Sequence, residues 1–104
     1  MSYKAMKVVI ITEKVIQDGV TQLIEEKGAS GYTIVAAGGK GSRGVRSPSR
    51  AMVADRFSNI KIEVIVNARE MAETISEAVA DTYFKHYSGI TYLEEVEIQR
   101  PHKF

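Results

Sequence analysis

The sequence predicts an α+β fold, a four-stranded sheet with two helices on one face, and three observations predict it. Four β-rich runs stand at residues 7–12, 32–36, 60–67 and 90–98. Two stretches with apolar residues at helical spacing separate the first run from the second and the third from the fourth. A long polar segment, 38–59, joins the second run to the third, so the order is strand, helix, strand, loop, strand, helix, strand.

The first run, KVVIIT, is continuous and β-branched, the pattern of a strand buried on both faces. Thr12 then reads as a helix N-cap, with Glu13 in the first turn where its charge complements the helix dipole. Ile16, Val20, Leu23, Ile24 and Lys27 follow at helical spacing, and Gly28 supplies the C-terminal stop. Gly31 opens the second strand, YTIVA. Beyond the loop, IKIEVIVN alternates Ile60, Ile62, Val64 and Val66 with Lys61, Glu63 and Ile65, a clear strand signal. Asn67 and Glu70 read as a capping-box pair opening the second helix, whose stripe is Met71, Ala72, Ile75, Val79 and Tyr83. That helix is expected to end near 86–88, before Gly89, and ITYLEEVEI forms the last strand.

This order is the split βαβ, or ferredoxin-like βαββαβ, sandwich. Right-handed crossovers place both helices on the same side of the sheet. The other side then needs cover, because residues 8–11 offer apolar side chains to both faces. Self-association is the simplest cover, and an oligomer is expected.

At 104 residues the chain is one domain, 1–104, which buries roughly 65% of its unfolded surface. An apolar fraction of 44% and a charged fraction of 26% are ordinary for a globular protein. Without cysteine there is no disulfide, thiolate metal site or cysteine nucleophile, which fits a reducing cytosol. No apolar run approaches the roughly 20 residues that span a bilayer, and the start, MSYKAMK, lacks the apolar core of a signal peptide. A cytoplasmic location without direct membrane insertion is therefore expected. His86 and His102 lack partners at metal spacing and read as surface or helix-end residues, so no metal is expected.

The charge is concentrated in the segment 38–59. The whole chain is +1, this segment alone is +4, and the remainder is −3. Glycines 38, 39, 41 and 44 free the backbone for close approach to a ligand, and successive N–H groups in such turns form nests that suit phosphate oxygens. Lys40, Arg43 and Arg46 add charge, and arginine can hold a phosphate through two parallel bonds. The segment is not a Walker A loop, because Lys40 is followed by Gly41 instead of serine or threonine. Composition alone leaves two readings, a solvated linker and an anion-binding loop.

Motifs along the rest of the chain carry a family resemblance. TEK at 12–14, GYT at 31–33, GGKGSRxVRS at 38–47, NIKIEV at 59–64, REMAE at 69–73 and YFxxYxGITY at 83–92 together resemble the PII-like SbtB regulators, which accompany the sodium-dependent bicarbonate transporter in cyanobacterial carbon concentration. The resemblance covers nearly the whole chain. It implies a homotrimer with nucleotide clefts between subunits and adenine nucleotides (cyclic AMP, AMP, ADP and ATP) as effectors, with no required cofactor. The segment 38–59 then corresponds to the mobile T-loop, which changes order with the ligand and docks into the transporter, recruiting the protein to the membrane. By position, Gly39, Lys40, Gly41, Ser42, Arg43 and Arg46 form the loop base, with Arg43 and Arg46 on phosphate. Gly31 and Thr33 match positions beside the adenine, Ser88, Gly89 and Ile90 match the B-loop, and Glu63 and Ile65 border a neighbouring cleft. The distal loop, with Ser47, Pro48, Arg50, Met52, Val53 and Phe57, is the part expected to meet the protein partner.

Some features depart from relatives. Many family members carry a cysteine-containing C-terminal extension, whereas this chain reads PHKF at 101–104, so redox control is not expected. The Gln-Lys pair with which classical PII proteins bind 2-oxoglutarate is missing, as is their glycine-lysine B-loop. The loop has no tyrosine for uridylylation. Ser47, Pro48 and Ser49 between two arginines read as small solvated residues or as a phosphorylation site. Tyr83, Phe84 and Tyr87 read as core and subunit contacts, and Glu94, Glu95 and Glu97 as a solvated strand face.

Two alternatives belong to other function classes. A ferredoxin-like nucleic-acid-binding module needs exposed aromatics on its central strands, and residues 8–11 and 60–66 contain none. An enzyme needs a catalytic set; no serine-histidine-acid group or close carboxylate pair is legible, which leaves weak nucleotide hydrolysis as the only catalytic reading. Catalysis is not expected.

Overall fold

The computed structural model describes residues 2–39 and 58–100. Strand β1 runs Tyr3–Glu13, a 3-10 turn Lys14–Ile16 leads into helix α1 at Gln17–Glu26, and β2 follows at Thr33–Ala37. Strand β3 is Asn59–Val66, helix α2 is Arg69–Tyr83, and β4 is Gly89–Ile98. The strands form one sheet in the order β2-β3-β1-β4, with antiparallel neighbours throughout. This is the ferredoxin-like α+β arrangement that the order of elements predicts.

The core lies between the sheet and the helices. Met6, Val8 and Ile10 of β1 and Ile60, Ile62, Val64 and Val66 of β3 meet Ile16, Val20 and Ile24 from the first helical stretch and Ala72, Ile75 and Val79 from α2. The strict alternation along β3, with every second residue buried, explains why this strand is legible from period two alone. Tyr83, Phe84, Tyr87 and Leu93 pack against the edge of the same cluster, and Tyr83 meets Tyr87 edge-to-face at 6.3 Å. Close approach of the helices depends on Gly19, where a Cβ would collide with the Tyr83 hydroxyl. Gly28 ends the first helix with φ 102°, the left-handed value that a C-terminal glycine supplies.

Both predicted helix starts differ from the structure. Thr12 does not cap a helix; it lies within β1, buried, because pairing with β3 and β4 extends through Thr12 and its hydroxyl is taken by the carbonyl of Ser88. The second helix is capped by Ala68 in extended conformation with no side-chain bond, which puts Asn67 and Glu70 one position out of capping-box register. The helix ends at Tyr83, before the predicted 86–88, and a hydrogen-bonded turn at 84–87 carries the chain to β4. Strand β1 is longer than the apolar run because its first residues pair with the end of β4, Tyr3 opposite Ile98. The first pair of β2 is Thr33 with Glu63, so Gly31 and Tyr32 precede the strand.

The face of the sheet away from the helices carries rows that cross all four strands. One row reads Thr33, Glu63, Val9, Tyr92, and the next reads Val35, Lys61, Ile11, Ile90. Val9 is fully buried at the middle, while Val35, Ile90 and Tyr92 are 50%, 57% and 40% exposed. Lys7 bridges to Glu94 at 3.2 Å on this face. That hydrogen bond raises the Lys7 pKa above its ordinary value, so the pair is intact at neutral pH and weakens only as strongly alkaline solution removes the proton.

Ile10 has no exposed surface and lies within the core cluster. Ile10→Ala is expected to lower unfolding stability by about 2–5 kcal/mol, read as a lower urea midpoint at fixed protein concentration.

Candidate functional site

Three segments converge at one end of the sheet. The hairpin pair Ala37–Asn59 is the last before the loop, and Asn59 in turn faces Glu13 at the end of β1. Thr12 faces Gly89, the first residue of β4. Ala37 and Asn59, the end of β1 and the turn before β4 are therefore neighbours by register.

Short hydrogen bonds tie them together through consecutive residues of β1 and the turn after it. The Thr12 hydroxyl donates to the Ser88 carbonyl at 2.7 Å, in a buried position. The Ser88 N–H donates to the Glu13 carboxylate at 2.7 Å. The Lys14 N–H donates to the Ser58 carbonyl, again at 2.7 Å, where the chain re-enters β3. Both polar groups of the Ser88 backbone are thus held by side chains, and the charged partner makes one of these bonds a strong one. Gly89 has its own reason to lack a side chain, because the ring of Phe84 lies where its Cβ would be.

The described sequence-predicted residues fall into two groups. Ser88, Gly89 and Ile90 lie on the β4 side of β1, with Ser88 buried and Ile90 exposed. Thr33, Glu63 and Ile65 lie on the β2–β3 side, where Thr33 and Glu63 are directly paired. Gly31 stands just before β2 and Gly39 lies beyond its end, and at both a Cβ would meet open space. Strands β2 and β4 are opposite edges of the sheet, about 14 Å apart across three strand spacings. One chain does not bring the two groups into contact along the sheet.

Lys40, Gly41, Ser42, Arg43 and Arg46, and the distal Ser47, Pro48, Arg50, Met52, Val53 and Phe57, lie outside the described residues, as does His102. Among the described residues there is no cluster of three or more histidine, cysteine, aspartate or glutamate side chains able to hold a metal. No helix among them is long and apolar enough to cross a membrane. Glu94 is exposed on its strand, as predicted, and its salt-bridge partner is Lys7 of the same chain.

Sequence reasoning missed the tie at Thr12, Glu13 and Lys14. A threonine-acid pair between an apolar run and a helix has the composition of a helix start, and only the pairing of β4 reveals its other use. It also missed a pocket of about 170 Å³ between residues 28–30 and residues 65–67, with Met71 also in its lining. The pocket includes Ile65 and adjoins Gly31 in the chain, so it extends the β2–β3 group.

The chain belongs to the PII family: residues 5–103 match the family model described as nitrogen regulatory protein P-II. A PII-like signalling protein from Thermus thermophilus is 34% identical over 99% of this chain and 97% of its own, with a TM-score of 0.80. CPII from Thiomonas intermedia, in a structure bound to ADP and bicarbonate, is 30% identical over 100% of this chain and 97% of its own, with a TM-score of 0.82. The same nitrogen regulatory PII-like protein bound to ADP, AMP and bicarbonate aligns at 29% identity over 100% and 96%, with a TM-score of 0.81.

Thr12→Val keeps the shape of the side chain but leaves the buried Ser88 carbonyl without its donor. The expected cost is about 1–3 kcal/mol in thermal or urea unfolding, with faster hydrogen exchange at the amides of Ser88 and Gly89 than in the unaltered chain.

Proposed function

We propose that this PII-family protein is an SbtB-type regulator that senses adenine nucleotides (cyclic AMP, AMP, ADP and ATP) in clefts between the subunits of a homotrimer and controls a bicarbonate transporter through its T-loop. One observation carries the reading. Ser58, where the chain re-enters β3, and the 84–89 turn are tied to the same end of β1, in a fold whose CPII neighbours hold ADP with bicarbonate. The placement of Thr33, Glu63 and Ile65 on one side of β1 and Ser88, Gly89 and Ile90 on the other supports an intersubunit cleft, since residues that β1 separates within one chain meet most readily when two chains lie side by side. The mixed apolar and charged face of the sheet, with Val35, Ile90 and Tyr92 exposed, supports burial against further copies.

In this reading Gly39 to Arg46 grip phosphate, Gly31, Thr33 and the pocket beside Ile65 take the adenine side, and the distal loop meets the transporter. The protein acts by binding, from the cytoplasm, and reaches the membrane through its partner. A nucleotide shifts the loop only by binding one loop state better than another; a coupling of about 1–3 kcal/mol corresponds to a 5- to 150-fold preference. The bicarbonate in the CPII structures favours one addition, that bicarbonate is a co-ligand here as well.

Calorimetry is expected to give submillimolar binding of adenine nucleotides, with Arg46→Ala weakening phosphate-dependent affinity by about 1.5–3 kcal/mol. Equal affinities in the two proteins, or no binding at all, would count against the reading. Light scattering is expected to give three times the chain mass, and retention of membrane partners on the immobilised protein is expected to differ among cyclic AMP, AMP, ADP and ATP.

A further inference from the structure

The proposed function places Ser88 in the nucleotide cleft, and a role for Glu13 there rests on that reading. In this structure the amide is already engaged: its N–H donates to Glu13 Oε2 at 2.7 Å, from a residue 75 positions away in the chain. The carboxylate is not a chance visitor. Glu13 is the last residue of β1, its backbone is paired opposite Asn59, and the neighbouring Thr12 hydroxyl holds the carbonyl of the same Ser88. A carboxylate oxygen on a backbone N–H makes the charge-assisted bond that a phosphate oxygen makes in an anion-binding turn.

We propose that Glu13 is a specificity-determining residue, a resident carboxylate at the Ser88 amide that a ligand phosphate must displace. Two anions cannot share one N–H, so a phosphate oxygen takes the Ser88 amide only by displacing the carboxylate. The site therefore discriminates among adenine ligands by the charge they bring to this turn. The uncharged nucleoside adenosine does not meet this penalty, and a diphosphate does. The neighbouring tie of the Lys14 N–H to Ser58 means that any movement of Glu13 is made within one residue of the point where the loop returns to the sheet.

The test is calorimetry of ADP and adenosine, at fixed ionic strength, with the unaltered chain, Glu13→Gln and Glu13→Asp. Glutamine keeps an acceptor for the Ser88 N–H and removes the charge. ADP is expected to bind Glu13→Gln about tenfold more tightly, equivalent to about 1.4 kcal/mol, with adenosine unchanged. Glu13→Asp, which keeps the charge, is expected to show no such gain. A merely structural role for Glu13 would weaken both ligands together and lower the melting temperature. An ADP-to-adenosine ratio in Glu13→Gln equal to that of the unaltered chain, where the latter binds ADP, overturns this inference and leaves the nucleotide-sensing reading standing. Failure of the unaltered chain to bind ADP overturns both. If Glu13→Gln does not fold, the carboxylate carbon resonance of Glu13 in the unaltered chain decides: it is expected to shift with ADP and not with adenosine, and no shift at saturating ADP overturns the inference.

Discussion

The structure depends on one strand that has no free side. Strand β1 is paired along both edges, with β3 and with β4, and carries apolar residues on both faces. Val8 and Ile10 point into the helical layer, while Val9 is buried on the opposite face, where no helix among the described residues lies. A fold with one helical layer can satisfy only half of such a strand. Exposed Tyr92, Ile90 and Val35 on that opposite face mark the unsatisfied half as apolar surface that water does not favour. The same central position of β1 divides the candidate site residues into a β2–β3 group and a β4 group.

The end of that strand has a second task. Where β1 gives way to the 3-10 turn, Thr12, Glu13 and Lys14 commit their hydrogen-bonding groups to two distant segments, the turn before β4 and the return of the chain into β3. A helix start in the ordinary sense would have used the Thr12 and Glu13 side chains on its own N–H groups. Here the helix is entered without a side-chain cap, and the missing bonds appear instead as long-range ties. The loss of local stability at the helix terminus is offset by fixing the geometry of a turn whose glycine is pressed against Phe84.

Much of the fold was legible because burial and period agree. The alternation of Ile60, Ile62, Val64 and Val66, the continuous run around Val8 and Ile10, and the spacing of Ile75 and Val79 each name both an element and its buried face. Element ends were less legible, since caps compete with tertiary partners that the sequence does not reveal. Thr12 is the clearest case: the residue type is right for a cap, and the buried carbonyl of Ser88 outcompetes the helix for its hydroxyl. For the candidate site, motifs marked the residues and register arranged them. The pairing of Thr33 with Glu63 follows from strand register, whereas the bond between Glu13 and Ser88 joins residues 75 positions apart and has no local signature.

The position of β1 also sets the order in which the chain can complete itself. As synthesis proceeds, β1 emerges early, finds its first partner only when β3 at Asn59–Val66 appears, and has its other edge open until β4 at Gly89–Ile98 is made. For that interval the nascent chain displays an unpaired, β-branched edge, the kind of surface that recruits wrong strands. Contacts of such long sequence separation also slow folding, because loop closure precedes the reward of pairing. The strand that organises the finished molecule is therefore the one most exposed to misassembly while the molecule is being made.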